Sequence, residues 1–134
     1  MSSGPPRAVV AGHAGFAAAL IELVGCVAGR ADVFRAVTNE GCDSRGVEEA
    51  LRVALREHGA SVVFTDLPAG SVAIAARRIA HSDPSVAVVT GASAAMLLDF
   101  ALGDDASAEA LGRAAARARD AIVVHPASGA PRAD

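Results

Sequence analysis

The chain has 134 residues, 52% of them apolar, and a net charge of -3 with both signs interspersed. That length fits one domain, residues 1–134, able to bury a core without disulfide or metal staples, and no apolar run reaches the roughly 20 residues that span a bilayer. The charge balance and the lack of Trp and Tyr argue against nucleic acid, which calls for a basic stripe and stacking aromatics.

Met1 to Pro6 reads as a loose terminus. Arg7 to Ala11 is a short β-type run. Gly15 to Ala28 carries Phe16, Leu20, Leu23, Val24 and Val27 at helical spacing, and Gly29 follows where a helix stops. Val33 to Val37 is a second strand. After the loop "TNEGCDSRG", Ser44 is placed to cap a helix bearing Val47, Leu51, Ala54 and Leu55, which ends near His58 and Gly59. "SVVFTD" (61–66) is apolar without alternation, as a strand covered on both faces should be. "LPAG" breaks the chain, and Ser71 to His81 reads as a helix. "SVAVVT" (85–90) is a fourth strand, running into a helix over "GASAAMLLDFAL" (91–102). Ser107 opens a last helix to about Arg119. "AIVVHP" (121–126) is a final short strand, and 126–134 a frayed tail.

Strands alternating with helices of about 10 to 14 residues point to βαβ units, a parallel sheet and helices on both faces. Right-handed crossovers make that a doubly wound, flavodoxin-like α/β fold, whose ligands sit beyond the carboxyl ends of the strands where strand order reverses. The loops there are "AGHAG", "TDLPAGS" and "TGASA". If the first strand lies beside the third, His13 and Asp66 face one crevice.

His13 stands where the first strand hands over to a helix. Asp66 can orient its imidazole and stabilise a positive ring. Gly70 and Ser71 open a helix, whose free N–H groups and hydroxyl suit a phosphate. Together they describe a phosphohistidine site, with a neutral imidazole as nucleophile. Each also has a plain structural reading: Asp66 as a turn residue, Ser71 as a helix cap, His13 as a loop histidine.

A second reading is a non-covalent nucleotide-binding module. "GHAGFA" stretches onto G-x-G-x-x-G/A, but Ala14 occupies the position that needs glycine for pyrophosphate approach, and Glu40 is a distant ribose ligand. All twelve basic residues are Arg, so no phosphate loop with its lysine exists. His58, His81 and His125 have no partner at metal-ligand spacing, so no metal and no cofactor is expected. Cys26 reads as a small core residue and Cys42 as a loop residue; a disulfide is not expected in a cytosolic chain. No signal peptide opens the chain, so a cytoplasmic location is expected.

Three blocks occur in the order and spacing of one family. "VVAGHAGFAAALIELVGCVAG" resembles the opening of the mannose-type EIIA domains of the bacterial phosphoenolpyruvate-dependent sugar phosphotransferase system (PTS), typically a strand, G-H-G-x-F-A-x-G-L, then a helix ending in glycine. "VVFTDLPAGSVAIAARRIA" resembles the segment T-D-L-x-G-G-S-P-x-N-x-A, and "VAVVTGASAAMLLDF" the segment G-x-N-x-P-M-L-L. The resemblance implies a phosphotransferase component: His13 takes a phosphoryl group from the phosphocarrier HPr and passes it to an EIIB component, for sugar uptake or regulation. Asp66 falls on the active-site aspartate, and Ser71, with Gly70 before it, on the serine beside the phosphoryl group. It also implies a homodimer exchanging a C-terminal strand, for which "DAIVVHP" is placed. Ala69-Gly70 stands for the paired glycines, Val72 for the proline after the serine, and Ser93-Ala94-Ala95 for Asn-x-Pro. These changes fall on the pocket rim and put the usual sugar-specific partner in question. The EIIA-like subunit of dihydroxyacetone kinase systems shares the fold and the histidine and is a further alternative.

Overall fold

A computed structural model describes residues 6–129. In chain order its elements are β1 (Ala8–Gly12), α1 (Phe16–Ala28), a single 3-10 turn at Ala31–Val33, β2 (Phe34–Thr38), α2 (Ser44–His58), β3 (Val62–Thr65), α3 (Ser71–Ser82), β4 (Ala87–Val89), α4 (Ala94–Leu102) and α5 (Ala108–Asp120). The loose ends expected at 1–6 and 126–134 fall mostly on residues outside the described range.

The strands form one all-parallel sheet in the order β2-β1-β3-β4. Successive side chains of a strand point to opposite faces, and here both faces are apolar. Ala8, Val10, Val62 and Phe64 pack with Val24, Leu97, Phe100 and Ala114 under α1, α4 and α5. Val9, Ala11 and Val63 pack with Val47, Leu51, Ala75 and Ile79 under α2 and α3. Because this core is built largely of Ala and Val, its aromatic bulk is concentrated. Phe34, Phe64 and Phe100 meet on the first face, with the Phe64 and Phe100 rings edge to face at 5.1 Å between centroids. Each such side chain stabilises the fold by about 1.5–3 kcal/mol on burial. Arg7 ties the start of β1 to the end of α4: its Nη2 donates to the Phe100 and Ala101 carbonyls, and its guanidinium lies over the Phe100 ring at 5.0 Å.

The winding creates the crevice. The chain leaves β1 through α1 towards β2 on one side, and leaves β3 through α3 towards β4 on the other. The order therefore reverses between β1 and β3, and His13 and Asp66 follow directly on those two strands.

Local chemistry moves several expected boundaries. The cap of α2 is Asp43 rather than Ser44. Asp43 is extended (φ -82°, ψ -177°) and its Oδ1 accepts from the Gly46 N–H at 2.8 Å, while Ser44 is already helical. The helix expected from Gly91 starts at Ala94, because Gly91 lies at φ +73° and Ser93 caps the helix through the Met96 N–H. Cys26 is exposed on α1, not in the core. The buried side of α1 runs through Ala17 and Val24, and position 26 falls about half a turn away from it. The last segment forms no strand within this chain: Ile122, Val123 and Val124 are 80%, 61% and 81% exposed. An isolated strand has no partner for its backbone groups.

Candidate active site

β1 ends at Gly12 and α1 begins at Phe16, so His13, Ala14 and Gly15 make the whole turn. The His13 ring meets Asp66 at once. Nδ1 lies 2.9 Å from Asp66 Oδ2, and the same oxygen accepts the His13 backbone N–H at 2.9 Å. The other oxygen, Oδ1, accepts the Leu67 N–H at 2.9 Å. The Asp66 side chain is only 10% exposed, that of His13 43%.

Burial alone pushes the Asp66 carboxyl up. The His13 backbone N–H, its ring and the Leu67 N–H together outweigh burial and hold it below the usual carboxylate range. Asp66 is thus ionised at neutral pH and has no proton to give. In a neutral ring Nδ1 must then carry the proton and Nε2 the lone pair. Among the described residues Nε2 has no hydrogen-bond partner, so its lone pair is left available.

Gly12 makes this approach possible. A Cβ there would lie 3.0 Å from Asp66 Cγ and Oδ2 and 2.8 Å from Phe16 Cδ2. Gly12→Ala is expected to force Asp66 off the ring and cost about 1–3 kcal/mol of stability. Urea unfolding measures it; an unaltered midpoint would mean that the corner is looser than these distances require.

The 66–70 loop is held by its own bonds. Thr65, fully buried, donates its hydroxyl to the Leu67 carbonyl at 2.9 Å, and Arg77 Nη1 donates to the Pro68 carbonyl at 2.9 Å. Gly70, at φ +99°, is the N-cap of α3 and supplies no side-chain cap. The first helical bond runs from the Ile74 N–H to the Gly70 carbonyl, so the N–H groups of Ser71, Val72 and Ala73 have no acceptor inside the helix. α1 also starts without a side-chain cap, whereas α2, α4 and α5 are capped by Asp43, Ser93 and Ser107. The two uncapped helices are those that follow β1 and β3, so their positive ends open at the crevice. Of the residues singled out from the sequence, His13 and Asp66 are in direct contact. Gly70 and Ser71 stand at the start of α3, with no bond to the pair. His58 is elsewhere, 3.2 Å from Arg35 Nη1 through Nε2. His81 is in the last turn of α3, and His125 in the unpaired C-terminal segment. Two contributors sit inside the quoted motifs, as the glycine of G-H and the threonine of T-D-L, without being named as site residues: Gly12, whose lack of a side chain matters only once Asp66 is seen beside it, and Thr65, whose hydroxyl shapes the turn.

The family model described as "PTS system fructose IIA component" (EIIA-man) matches residues 7–116. The chain belongs to the EIIA-man family. That places it in the sugar phosphotransferase system as a IIA component, a transferase-type role. Solved EIIA structures have the same fold. A PTS EIIA component from Streptococcus agalactiae has a TM-score of 0.80 at 17% identity, over 88% of this chain and 95% of that one. The mannose/sorbose-specific IIA subunit from Enterococcus faecalis has 0.77 at 17%, over 95% and 99%. The PTS IIA protein associated with the fucose utilization operon of Streptococcus pneumoniae has 0.78 at 22%, over 92% and 96%. No curated protein matches the sequence. Among the described residues no helix of this EIIA chain is long and apolar enough to cross a membrane.

Proposed function

We propose that this chain is a cytoplasmic phosphoryl carrier, with His13 as its phosphorylated residue. The observation that carries the reading is the 2.9 Å contact between His13 Nδ1 and Asp66, which leaves Nε2 as the nucleophile. Nε2 attacks the phosphorus of phospho-HPr. A new N–P bond forms, the bond to the HPr imidazole breaks, and that imidazole leaves with the electron pair. As the His13 ring becomes cationic, Asp66 stabilises it. The N–H groups at the start of α3 and the Ser71 hydroxyl, with Gly70 keeping the approach open, hold the phosphoryl oxygens. An EIIB component then takes the group by the reverse step. Nitrogen-15 and phosphorus NMR of the phosphorylated chain tests the assignment: the phosphoryl group is expected on Nε2 of His13, and attachment at Nδ1 or at another residue contradicts it.

The reading extends to a homodimer in which the 121–126 segment of each copy pairs with the other. Support comes from a groove of about 610 Å³ beside the outer edge of β4, lined by Val88, Val89, Met96, Leu111 and Ile122 among others. Among the described residues β4 is an edge strand whose outer backbone groups lack a partner strand, and Ile122 to Val124 are apolar and exposed. Removing the chain from Ile122 onward is expected to turn a dimer into a monomer in analytical ultracentrifugation, with β1 to α5 still folded. A dimer that survives the truncation, or a monomeric parent, contradicts the exchange.

A further inference from the structure

His13 is fixed from β3 by Asp66, and its turn is also held from β2. Ala14 lies at φ +49°, the single non-glycine residue with positive φ among the described residues. An alanine there is strained relative to other conformations, so something must hold it. Thr38, the last residue of β2, does so. Its Oγ1 donates to the Ala14 carbonyl at 2.9 Å and accepts the Glu40 N–H at 3.2 Å, which fixes the hydroxyl in both directions. Next to it, the Asn39 N–H donates to the Gly12 carbonyl at 3.2 Å. The corner at the end of β2 therefore grips the carbonyls on both sides of His13, while the Phe16 N–H donates to the carbonyl of His13 itself.

We propose that Thr38 is a positioning residue for His13: its hydroxyl latches Ala14 in the left-handed conformation and so keeps the His13 N–H and Nδ1 together on Asp66. The consequence for phosphoryl transfer rests on the carrier reading above; the effect on the ring does not. Without the latch, Ala14 relaxes, the backbone turns, and one carboxylate oxygen can no longer take both His13 bonds.

The test uses the full chain with four variants: Thr38→Val, which keeps the shape and loses the hydroxyl, Thr38→Ser, which restores it, Ala14→Gly, and Thr38→Val with Ala14→Gly. Two readouts are taken, the nitrogen-15 spectrum of the His13 ring and the rate of phosphoryl uptake from phospho-HPr. Thr38→Val is expected to lose the single Nδ1–H tautomer signature and slow uptake by about three- to tenfold, the size of one lost hydrogen bond. Thr38→Ser should match the parent. The double variant should recover most of the loss, because glycine holds a positive φ without help. An unchanged ring spectrum in Thr38→Val, no rescue by serine, or a double variant as impaired as Thr38→Val overturns the latch. If the parent takes no phosphate from phospho-HPr, the carrier reading fails, and the ring spectra still decide the role of Thr38.

Discussion

Replacing His13 with alanine is expected to abolish phosphoryl uptake while leaving the protein folded. The ring is nearly half exposed and among the described residues its side chain bonds only Asp66, so little packing is lost with it. Asp66 keeps two donors in the variant, the backbone N–H groups of residues 13 and 67, and the freed side of its carboxylate is open to water. The stability change should stay within about 1 kcal/mol. No other histidine is placed to substitute through Asp66: His58 is engaged with Arg35, and His81 sits in the last turn of α3, at the far end from its uncapped start. Thermal unfolding together with an uptake assay checks both halves. Residual uptake near the parent rate would move the phosphoryl site off His13.

Asp66→Asn carries the second large effect. Asp66 serves three donors, the His13 N–H, His13 Nδ1 and the Leu67 N–H. A carboxylate has an acceptor oxygen for each side, whereas an amide offers one oxygen and sets its NH2 against a donor on the other. The ring also loses the negative charge that stabilises it once phosphorylated. A charge-assisted bond contributes about 1.5–3 kcal/mol, so transfer should fall by about 10- to 100-fold. A transfer rate equal to the parent's would remove Asp66 from the mechanism. The same group sets a pH signature. Its folded pKa is depressed below the ordinary 3.8, so the stability it contributes is fully present above that value and is lost as pH falls through the folded pKa. The stability gap between the parent and Asp66→Asn is therefore expected to be widest near neutrality and to close in acid, by urea unfolding at several pH values.

The crevice was legible because two features converge in the sequence. Runs such as "SVVFTD" are apolar without alternation, as strands covered on both faces should be. In a doubly wound sheet the residues just past such strands share the switch point, so His13 and Asp66 face one crevice provided the first strand lies beside the third, as β1 and β3 do. What stayed hidden depends on distances across the fold. That Gly12 must lack a side chain follows from where Asp66 comes to rest, and the bond from Thr38 to Ala14 joins residues 24 positions apart. Cys26 reads as a core residue because α1 is rich in Ala and apolar on most sides, so its period marks the buried face weakly. "AIVVHP" has the composition of a strand, but a strand needs an edge to pair with, and composition does not say whose.

The most direct test is intact mass after incubation with phosphoenolpyruvate, enzyme I and HPr, handled at neutral pH because phosphohistidine is acid-labile. The account expects the chain to gain one phosphoryl group, to lose it on brief acid treatment, and to gain none once His13 is alanine. No gain with authentic partners present, or an acid-stable gain, would contradict a phosphohistidine carrier and leave the His13–Asp66 pair as a corner that keeps the family's shape without its chemistry.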